Sequence, residues 1–321
     1  MEEKQLTIII PTYNRRDRLI RQLDSLYAQS TVAQCHMVIL DNCSDYDIQD
    51  ALTSHGFTSQ FLSLIELIRH PLNTRMGYNL AGTLLCAKTQ WLWLVSDDDI
   101  STPDSIDTVL SYARTYPEAS LVKFQFTFHR TFDDIIVKSV DDLEREYKDS
   151  LFTPGDLFYL GNNLINTLKL KDYLGDAFEH SSHLIPFVLP ALHQLVDGKA
   201  NIIFSDKHVQ TYCPNNSGDT WMAVPTILKF AELFDVSWNK ARDTKRVFRI
   251  ICNHFNVPEV VRMLLDEKDR KYRRYAYYRL KKTIFNRPQS FKEHMFWVAY
   301  LAEDYLHIPT LSKILPWLKH H

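Results

Sequence analysis

Glycine is scarce in this 321-residue chain, and its scarcity excludes two common kinds of nucleotide site. The chain has only 8 glycines, about a third of ordinary usage. None is spaced as G-x-G-x-x-G or as G-x-x-x-x-G-K-[ST], the patterns of dinucleotide-binding turns and of P-loops. The chain therefore has neither a Rossmann fingerprint nor a Walker-type phosphate loop.

Cysteines are also few, and long uncharged apolar runs are missing. The five cysteines lie far apart with no C-x-x-C pair, which argues against a zinc knuckle or a disulfide framework. The longest stretch without Asp, Glu, Lys or Arg, residues 180–196, contains two prolines and would make a poor membrane-spanning helix. The N-terminus has no basic segment followed by an apolar one, so we expect no secretory signal and a cytoplasmic protein.

The chain does show a regular alternation of strand-like and helix-like segments. Hydrophobic residues make up 45% of it and charged residues 24%, so wholesale disorder is excluded. Strand-like apolar runs lie at 6–10, 36–40, 61–69, 91–95 and 120–129; helix-like segments lie at 17–27, 47–52, 77–87 and about 102–112. This alternation predicts an α/β fold with a mainly parallel sheet and helices on both faces.

The character of the sequence changes near residue 222. From there on, helical periodicity dominates and no convincing strand follows. We therefore predict an α/β domain over residues 1–221 and a helical, basic domain over residues 222–321.

Polar residues follow three of the predicted strands where each strand ends. They are Pro11 to Arg15, Asp41 with Asn42, and Asp97 with Asp98 and Asp99. Ligands of open parallel sheets bind outside the carboxyl ends of the strands. These polar groups are therefore expected along one edge of the sheet.

The three consecutive acids favour a divalent metal ion. Carboxylates this close repel one another unless a cation is supplied. Mg²⁺ or Mn²⁺ is typically held by one or two carboxylates together with substrate phosphates, so Asp97 to Asp99 suit a diphosphate clamp. The alternative is that they only cap the helix that follows, for which one acid would suffice.

The other two strand ends have both a functional and a structural interpretation. Asp41 can accept a hydrogen bond from a base or ribose, or it can form an ordinary Asx turn. Tyr13 can pack on a base and Arg15 can approach phosphate, or their segment can be a simple strand-to-helix connection.

Taken together, these motifs resemble family-two glycosyltransferases of the GT-A fold. The resemblance is carried in order by residues 8–15, 41–42, 77–87 and 93–99, and covers about residues 5 to 115. It implies an inverting sugar transferase that uses a nucleotide-diphosphate sugar and Mg²⁺ or Mn²⁺. The nucleotide-sugar-binding positions that it implies are Pro11, Thr12, Tyr13, Arg15, Asp41, Asn42, Gly77, Asp97 and Asp98. It places the metal ion on Asp99 and Asp98.

The chain departs from this family where the catalytic base is expected. Many relatives carry a Glu-Asp pair at a helix start, whereas this chain has residues 175–183, which with 162–165 most resemble abequosyltransferases and other O-antigen side-sugar transferases. An inverting transfer needs a base that removes the proton of the acceptor hydroxyl. The candidates are Glu179, His183 and Asp176, with His180 beside them, and each can equally be a helix-end or surface polar residue.

Basic residues are concentrated near the C-terminus. Residues 239–292 contain 16 Lys and Arg against 5 Asp and Glu, interleaved with aromatic residues. This composition suits an anionic membrane surface, and residues 308–318 can form an amphipathic helix on a bilayer or close the core. We expect a protein peripheral to the inner membrane face, with nucleic acid binding or internal packing as the alternatives.

The function predicted is sugar transfer to a saccharide or lipid-linked saccharide in surface polysaccharide synthesis, of the O-antigen or capsule type. Two other functions fit the same acids. A nucleotidyltransferase also uses strand-end carboxylates and Mg²⁺ but releases pyrophosphate, and a non-catalytic module would bind a nucleotide sugar without turnover.

Overall fold

The computed structural model describes residues 4–125, 131–148, 159–211, 213, 224–253 and 255–306. Its strands are β1 (Leu6–Thr12), β2 (Cys35–Asp41), β3 (Ile65–Arg69), β4 (Trp91–Leu94), β5 (Ile100–Ser101), β6 (Leu121–Gln125), β7 (Ile135–Val137), β8 (Asn163–Asn166), β9 (Ile202–His208) and β10 (Gln210–Thr211). Its α-helices are α1 (Arg16–Tyr27), α2 (Ile48–His55), α3 (Ser59–Leu62), α4 (Met76–Thr83), α5 (Ser105–Thr115), α6 (Val140–Lys148), α7 (Gly175–Glu179), α8 (Leu189–Val196), α9 (Val224–Glu232), α10 (Ala241–Cys252), α11 (Val257–Asp266), α12 (Arg270–Lys282) and α13 (Phe291–Leu306).

The central sheet has the strand order β3-β2-β1-β4-β8-β6-β9-β7. Strands β1 to β4 run parallel, and β9 runs parallel to β6. Strand β8, which sequence patterns did not predict, runs antiparallel to both β4 and β6, and β7 is antiparallel to β9. The predicted α/β fold with a mainly parallel sheet is confirmed.

Helices cover both faces of the parallel half, because alternate residues of each strand point to opposite faces. On one face, Leu6, Ile8 and Ile10 of β1 join a buried cluster with residues of α1, α2 and α5. On the other face, α4 contacts β1. Fully burying one such aliphatic side chain contributes about 1.5–3 kcal/mol, so both faces hold the carboxyl ends of the strands in place.

Three sequence predictions were wrong in their extent. The helix predicted over 77–87 is α4, which ends at Thr83. The strand predicted over 61–69 begins only at Ile65, because Thr58 accepts the backbone N–H of Phe61 and caps the short helix α3. Helix α5 begins at Ser105 rather than near Thr102, because Ile100–Ser101 pair with β10. The strand predicted over 120–129 is confirmed as β6, and residues 126–129 lie outside the described residues.

The chain divides into two compact units, residues 1–218 with 238–247 and residues 219–237 with 248–321. The described part of the second unit is helical and contains no strand. The boundary predicted between residues 221 and 222, and the amphipathic segment 308–318, lie outside the described residues. Among the helices described, none combines the length and the apolar character that crossing a bilayer requires. All five cysteines, each at a described position, carry free thiols.

Candidate functional site

The acid cluster after β4 meets the loop after β1. The Thr12 hydroxyl donates to Asp97 Oδ2 over 2.7 Å, and Arg15 Nη1 lies 2.9 Å from Asp97 Oδ1 and 2.6 Å from Asp98 Oδ2. Arg18, in the first turn of α1, pairs with the other oxygen of Asp98 at 2.5 Å. The structure therefore brings Thr12 and Arg15 to the acid cluster, where two arginines compensate the charge of Asp97 and Asp98.

Asp99 is placed differently from its two neighbours. Its Oδ1 accepts the backbone N–H of Cys213 at 3.3 Å, and within the described residues no Lys, Arg or His forms a salt bridge with it. Burial, with smaller contributions from the carboxylates of Asp98 and Asp97, raises the pKa of Asp99 to about 6. An ionised Asp99 is thus a buried negative charge that no cationic side chain of the described residues pairs with, and an added cation would stabilise it.

The pKa of Asp97 is also raised to about 6. Burial is the largest cause, and the guanidinium of Arg15 opposes it without overcoming it. Because the two raised pKa values belong to acids two residues apart, the cluster holds protons more tightly than separate surface carboxylates would.

Asp41 at the end of β2 is fully buried. Its Oδ1 accepts both the backbone N–H of Ser44 at 2.9 Å and the Ser44 hydroxyl at 2.6 Å, so the Asx turn considered from the sequence is present. Its Oδ2 lies 3.3 Å from Arg69 Nη1 and accepts no hydrogen bond from the described residues. One oxygen of Asp41 therefore builds the loop while the other remains available as an acceptor.

Asn42 ties the end of β2 to the segment that leads into α4. Its Oδ1 accepts from the backbone N–H of Thr74 at 2.9 Å and from the Thr74 hydroxyl at 2.8 Å, and its Nδ2 donates to Asn73 Oδ1 at 3.1 Å.

Pro11 is buried one residue before the end of β1, whereas Tyr13 in the next loop is 42% exposed. The side chain of Tyr13 is thus the one that can pack on a ligand from solvent.

Three residues in these loops adopt left-handed backbone conformations that non-glycine residues rarely take. They are Asn14 (φ 54°), Cys43 (φ 70°) and Arg75 (φ 70°). One follows β1, one follows β2 and one precedes α4. Such conformations cost of order 1–3 kcal/mol each and cluster at binding sites. Sequence analysis missed this signal, because only Asn among the three is a residue that favours the conformation.

Gly77 is the contact point between α4 and the loop after α7. A Cβ atom at Gly77 would lie closer than 3.0 Å to the backbone oxygens of both Ser181 and His183. The Tyr78 and Phe178 rings also meet edge to face at 6.2 Å. The structure therefore brings residues 176–183, where the base was predicted, against the helix that follows the β2 and β3 loops.

Asp176 is the best supported of the predicted base candidates. Its Oδ2 lies 2.7 Å from Nδ1 of His193, and the His193 ring stacks on Trp238 with centroids 4.6 Å apart. Burial raises the pKa of Asp176, and the hydrogen bond from His193 opposes that rise. Sequence analysis missed His193, because a lone histidine in the apolar helix α8 gives no sign of a carboxylate partner 17 residues away.

The other candidates lie close to Asp176. The side-chain atoms of Asp176, Glu179 and His180 that could coordinate a metal ion all lie within 4.8 Å of one another. The side chain of Glu179 is exposed, whereas His183 is buried, with its ring 5.6 Å from that of His180. The predicted catalytic residues therefore lie close to one another.

Comparison with solved structures defines the class of fold. S. aureus TarS in complex with UDP-GlcNAc superposes with a TM-score of 0.56 at 13% identity, over 92% of this chain and 91% of that one. A mannosyltransferase from Pyrobaculum calidifontis, PcManGT, in complex with GDP-Man and Mn²⁺, superposes with a TM-score of 0.54 at 14% identity, over 94% and 81% of the two chains. The fold is that of GT-A glycosyltransferases.

Residues 7–166 match the model of Glycosyl transferase family 2, which supports the family resemblance seen in the motifs. An uncharacterized glycosyltransferase of Haemophilus influenzae is 26% identical over 117 residues, 36% of this chain and 37% of that protein. The succinoglycan biosynthesis protein ExoW of Rhizobium meliloti is 30% identical over 104 residues, 32% of each chain. The chain thus spans about a third of the length of these curated relatives.

Proposed function

We propose that this chain is an inverting glycosyltransferase that moves a sugar from a nucleotide-diphosphate sugar to a hydroxyl of a saccharide or lipid-linked saccharide. The observation that carries the proposal is the acid cluster after β4. Two arginines compensate Asp97 and Asp98, whereas Asp99 has no cationic side-chain partner among the described residues. The family match of residues 7–166 and the GT-A fold support the same function.

The donor nucleotide is proposed to lie along the ends of β1 and β2. Asp41 Oδ2, which accepts no hydrogen bond from the described residues, would accept an N–H of the base, and the exposed ring of Tyr13 would pack on it. Thr12, Pro11 and Asn42 would act by holding these loops in place. Gly77, proposed from the sequence as a donor contact, would act through its close approach to residues 181–183.

Asp99 fits a hard divalent ion, either Mg²⁺ or Mn²⁺. Its carboxylate is buried and forms no salt bridge with any residue that the structure describes, and oxygen ligands of this kind suit both ions. A bound ion would supply the positive charge that stabilises the leaving diphosphate. Asp98 was proposed as a second ligand, but both of its oxygens are paired with arginines, so Asp99 has the stronger support. The Mn²⁺ in the PcManGT complex agrees with this class of ion.

Asp176 is proposed as the catalytic base, with Glu179 and His183 as the remaining candidates. The base accepts the proton of the acceptor hydroxyl while the hydroxyl oxygen forms a bond to the anomeric carbon. The bond from that carbon to the diphosphate oxygen breaks on the opposite face, and its electron pair leaves with the nucleoside diphosphate. His193 would hold the Asp176 carboxylate in place and keep it ionised.

The proposed setting is surface polysaccharide synthesis at the inner face of a membrane. ExoW is a succinoglycan biosynthesis protein, and residues 162–165 and 175–183 resemble the abequosyltransferase branch of O-antigen enzymes. The proposed domains are an α/β donor-binding domain over 1–221 and a helical, basic domain over 222–321 that rests on anionic lipid. The chain itself is proposed to be cytoplasmic.

Product analysis tests the proposed function. The protein is incubated with Mn²⁺, a panel of nucleotide sugars and saccharide acceptors, and the products are identified by mass spectrometry. Release of nucleoside diphosphate with a glycosylated acceptor is expected, and the Asp99→Ala variant should lose both. A parallel incubation supplies a nucleoside triphosphate and a sugar 1-phosphate, and release of pyrophosphate there with formation of a nucleotide sugar would show a nucleotidyltransferase instead. Donor binding without any turnover across the panel would show a non-catalytic module.

A further inference from the structure

The second unit presents two exposed rows of side chains on its last two described helices. On α12, Lys271, Tyr275, Tyr278 and Lys282 follow one another at spacings of four, three and four residues, and all four are exposed. That spacing places them on one face of the helix. The opposite face of α12 is buried through Ala276, Tyr277 and Leu280.

The row on α13 is apolar. Phe291, Met295, Val298 and Tyr305 follow one another at spacings of four, three and seven residues, which places them on one face of the helix, and they are 82%, 45%, 55% and 38% exposed. The buried face of this helix consists of other residues, namely Phe296, Trp297, Tyr300 and Asp304. Helix α13 therefore exposes part of its apolar surface to solvent, although its other face is buried in the core.

The two rows meet at Tyr278 and Tyr305. The hydroxyls of Tyr278 and Tyr305 lie 3.2 Å apart, and the guanidinium of Arg274 lies over the Tyr305 ring at 3.9 Å. Beneath them, the fully buried carboxylate of Asp304 pairs with Arg273 and Arg274. We call the eight residues of the two rows the α12–α13 surface.

Because of ion pairs, fewer cations are available at the surface than the number of Lys and Arg residues in this region suggests. All four arginines of α12 are paired, Arg270, Arg273 and Arg274 with Asp304 and Arg279 with Asp235. The cations at the exposed surface are instead a few lysines, Lys271 and Lys282 in the row on α12 and Lys292 next to Phe291. No acidic residue belongs to either row.

We propose that the α12–α13 surface docks on anionic phospholipid. A few lysines beside an exposed apolar row suit a bilayer interface, where apolar side chains enter the acyl boundary and tyrosines lie at the headgroups. Nucleic acid would instead require a dense array of unpaired cations, which the pairing on α12 removes. The inference deepens the membrane association proposed above and is independent of the transfer reaction.

The test is sedimentation of the full chain with vesicles of phosphatidylcholine, with and without phosphatidylglycerol. Binding is expected only to the anionic vesicles and should weaken with added salt. The pair Lys271→Gln and Lys282→Gln should lower the partition coefficient roughly 30-fold, from about a factor of five per basic residue. The pair Phe291→Ser and Val298→Ser should also release the protein, because the apolar row is lost.

Matched controls lie in the first unit. Lys171 and Lys245 are exposed lysines, so Lys171→Gln with Lys245→Gln removes the same charge elsewhere. Leu168 is 59% exposed, so Leu168→Ser removes a similar apolar side chain elsewhere. Both controls should bind vesicles as the unaltered chain does, and circular dichroism should show that every variant is folded.

Several outcomes would overturn the proposal. One is no binding of the unaltered chain to anionic vesicles. A second is equal loss of binding in the control variants. A third is a concentration-dependent dimer that the surface variants abolish, which would assign the surface to a second copy of the chain. Donor turnover measured on the same samples tests the proposed transfer reaction separately.

Discussion

Single carboxylates carry most of the proposed chemistry, and Asp99 is the one whose environment is least compensated. Burial raises its pKa to about 6 from 3.8, so between about pH 4 and pH 6 the folded state holds a proton that the unfolded chain releases. The contribution of Asp99 to the free energy of unfolding is therefore most favourable below pH 4 and falls as the pH rises through 6.

We expect Asp99→Asn to flatten the pH dependence of the free energy of unfolding between about pH 4 and pH 6. The effect is on the order of 2 kcal/mol between pH 4 and pH 7, because one pKa unit corresponds to about 1.4 kcal/mol. Urea unfolding in the presence of a chelator measures it. Asp104→Asn, at an exposed position, is the control and should leave the profile unchanged. An unaltered slope in Asp99→Asn would refute the argument.

His193 is predicted to set the working pH through Asp176. Removing the hydrogen bond in His193→Phe lets burial raise the pKa of Asp176 further, and a base with a higher pKa is ionised only at higher pH. The acidic limb of kcat/KM for sugar transfer should therefore move to higher pH, whereas Asp176→Asn should lower kcat about 100-fold or more. His55→Gln, which alters an exposed pair with Asp24, should change neither. An unshifted limb in His193→Phe would leave Glu179 and His183 as the candidates.

At the scale of elements, α4 connects the donor loops with the proposed base. Its first turn can approach the loop after α7 only because residue 77 has no side chain. The second glycine of the helix, Gly82, differs, since a Cβ there would meet the Leu40 side chain at an ordinary 3.7 Å. The two glycines therefore form a matched pair on one helix.

Gly77→Ala should destabilise the protein by about 2 kcal/mol, because backbone oxygens have to move to admit the methyl group. Sugar transfer should fall with it, since residues 176–183 are displaced. Gly82→Ala should stabilise the protein by about 0.5–1 kcal/mol through the lower entropy of the unfolded chain. Thermal unfolding and transfer rates measure both effects. Equal behaviour of the two variants would show that the contact at Gly77 does not position the base.

The pairing of α12 with α13 depends on Asp304. Burial raises the pKa of this carboxyl, but hydrogen bonds and charges of Arg273 and Arg274 outweigh burial and lower it below the ordinary value. A lowered pKa contributes stability above the unfolded pKa, near 3.9, and that contribution is lost as the pH falls further.

Asp304→Asn should cost about 3 kcal/mol of unfolding free energy at pH 7, because it leaves arginines near a buried site without their counter-charge. Denaturant unfolding measures this loss, which should shrink towards pH 3. The control is Asp235→Asn, where the carboxylate is 62% exposed and an ion pair contributes at most about 1 kcal/mol. A cost for Asp304→Asn no larger than for Asp235→Asn would contradict the interpretation.

At the scale of the whole molecule, donor and metal ion are expected to stabilise the fold together. A ligand that binds only the folded state stabilises it by about 2.7 kcal/mol at 100 times its Kd. In a thermal-shift panel of nucleotide sugars, the correct donor should raise Tm only when Mg²⁺ or Mn²⁺ is present, and Asp99→Ala should abolish the shift. A rise without metal would contradict the proposed diphosphate clamp.

The sequence sufficed to predict the parallel half of the sheet and the places where its polar residues gather. Continuous apolar runs, and the acids that directly follow β2 and β4, are local patterns, and parallel strands align their carboxyl ends without further information. The start of α5 was missed because β5 pairs with β10, more than 100 residues away. A local pattern does not contain such a pairing.

Which charges are compensated was decided by folding. Asp97, Asp98 and Asp99 look alike in the sequence, yet arginines from the β1 loop and from α1 neutralise the first two, whereas the third has no such partner in the part of the chain that the structure describes. In the same way, His193 meets Asp176, and Asp304 gathers the arginines of α12, by contacts between separate elements. Burial and electrostatic pairing depend on distances through space, so residue types and spacing could propose these groups but could not assign their partners.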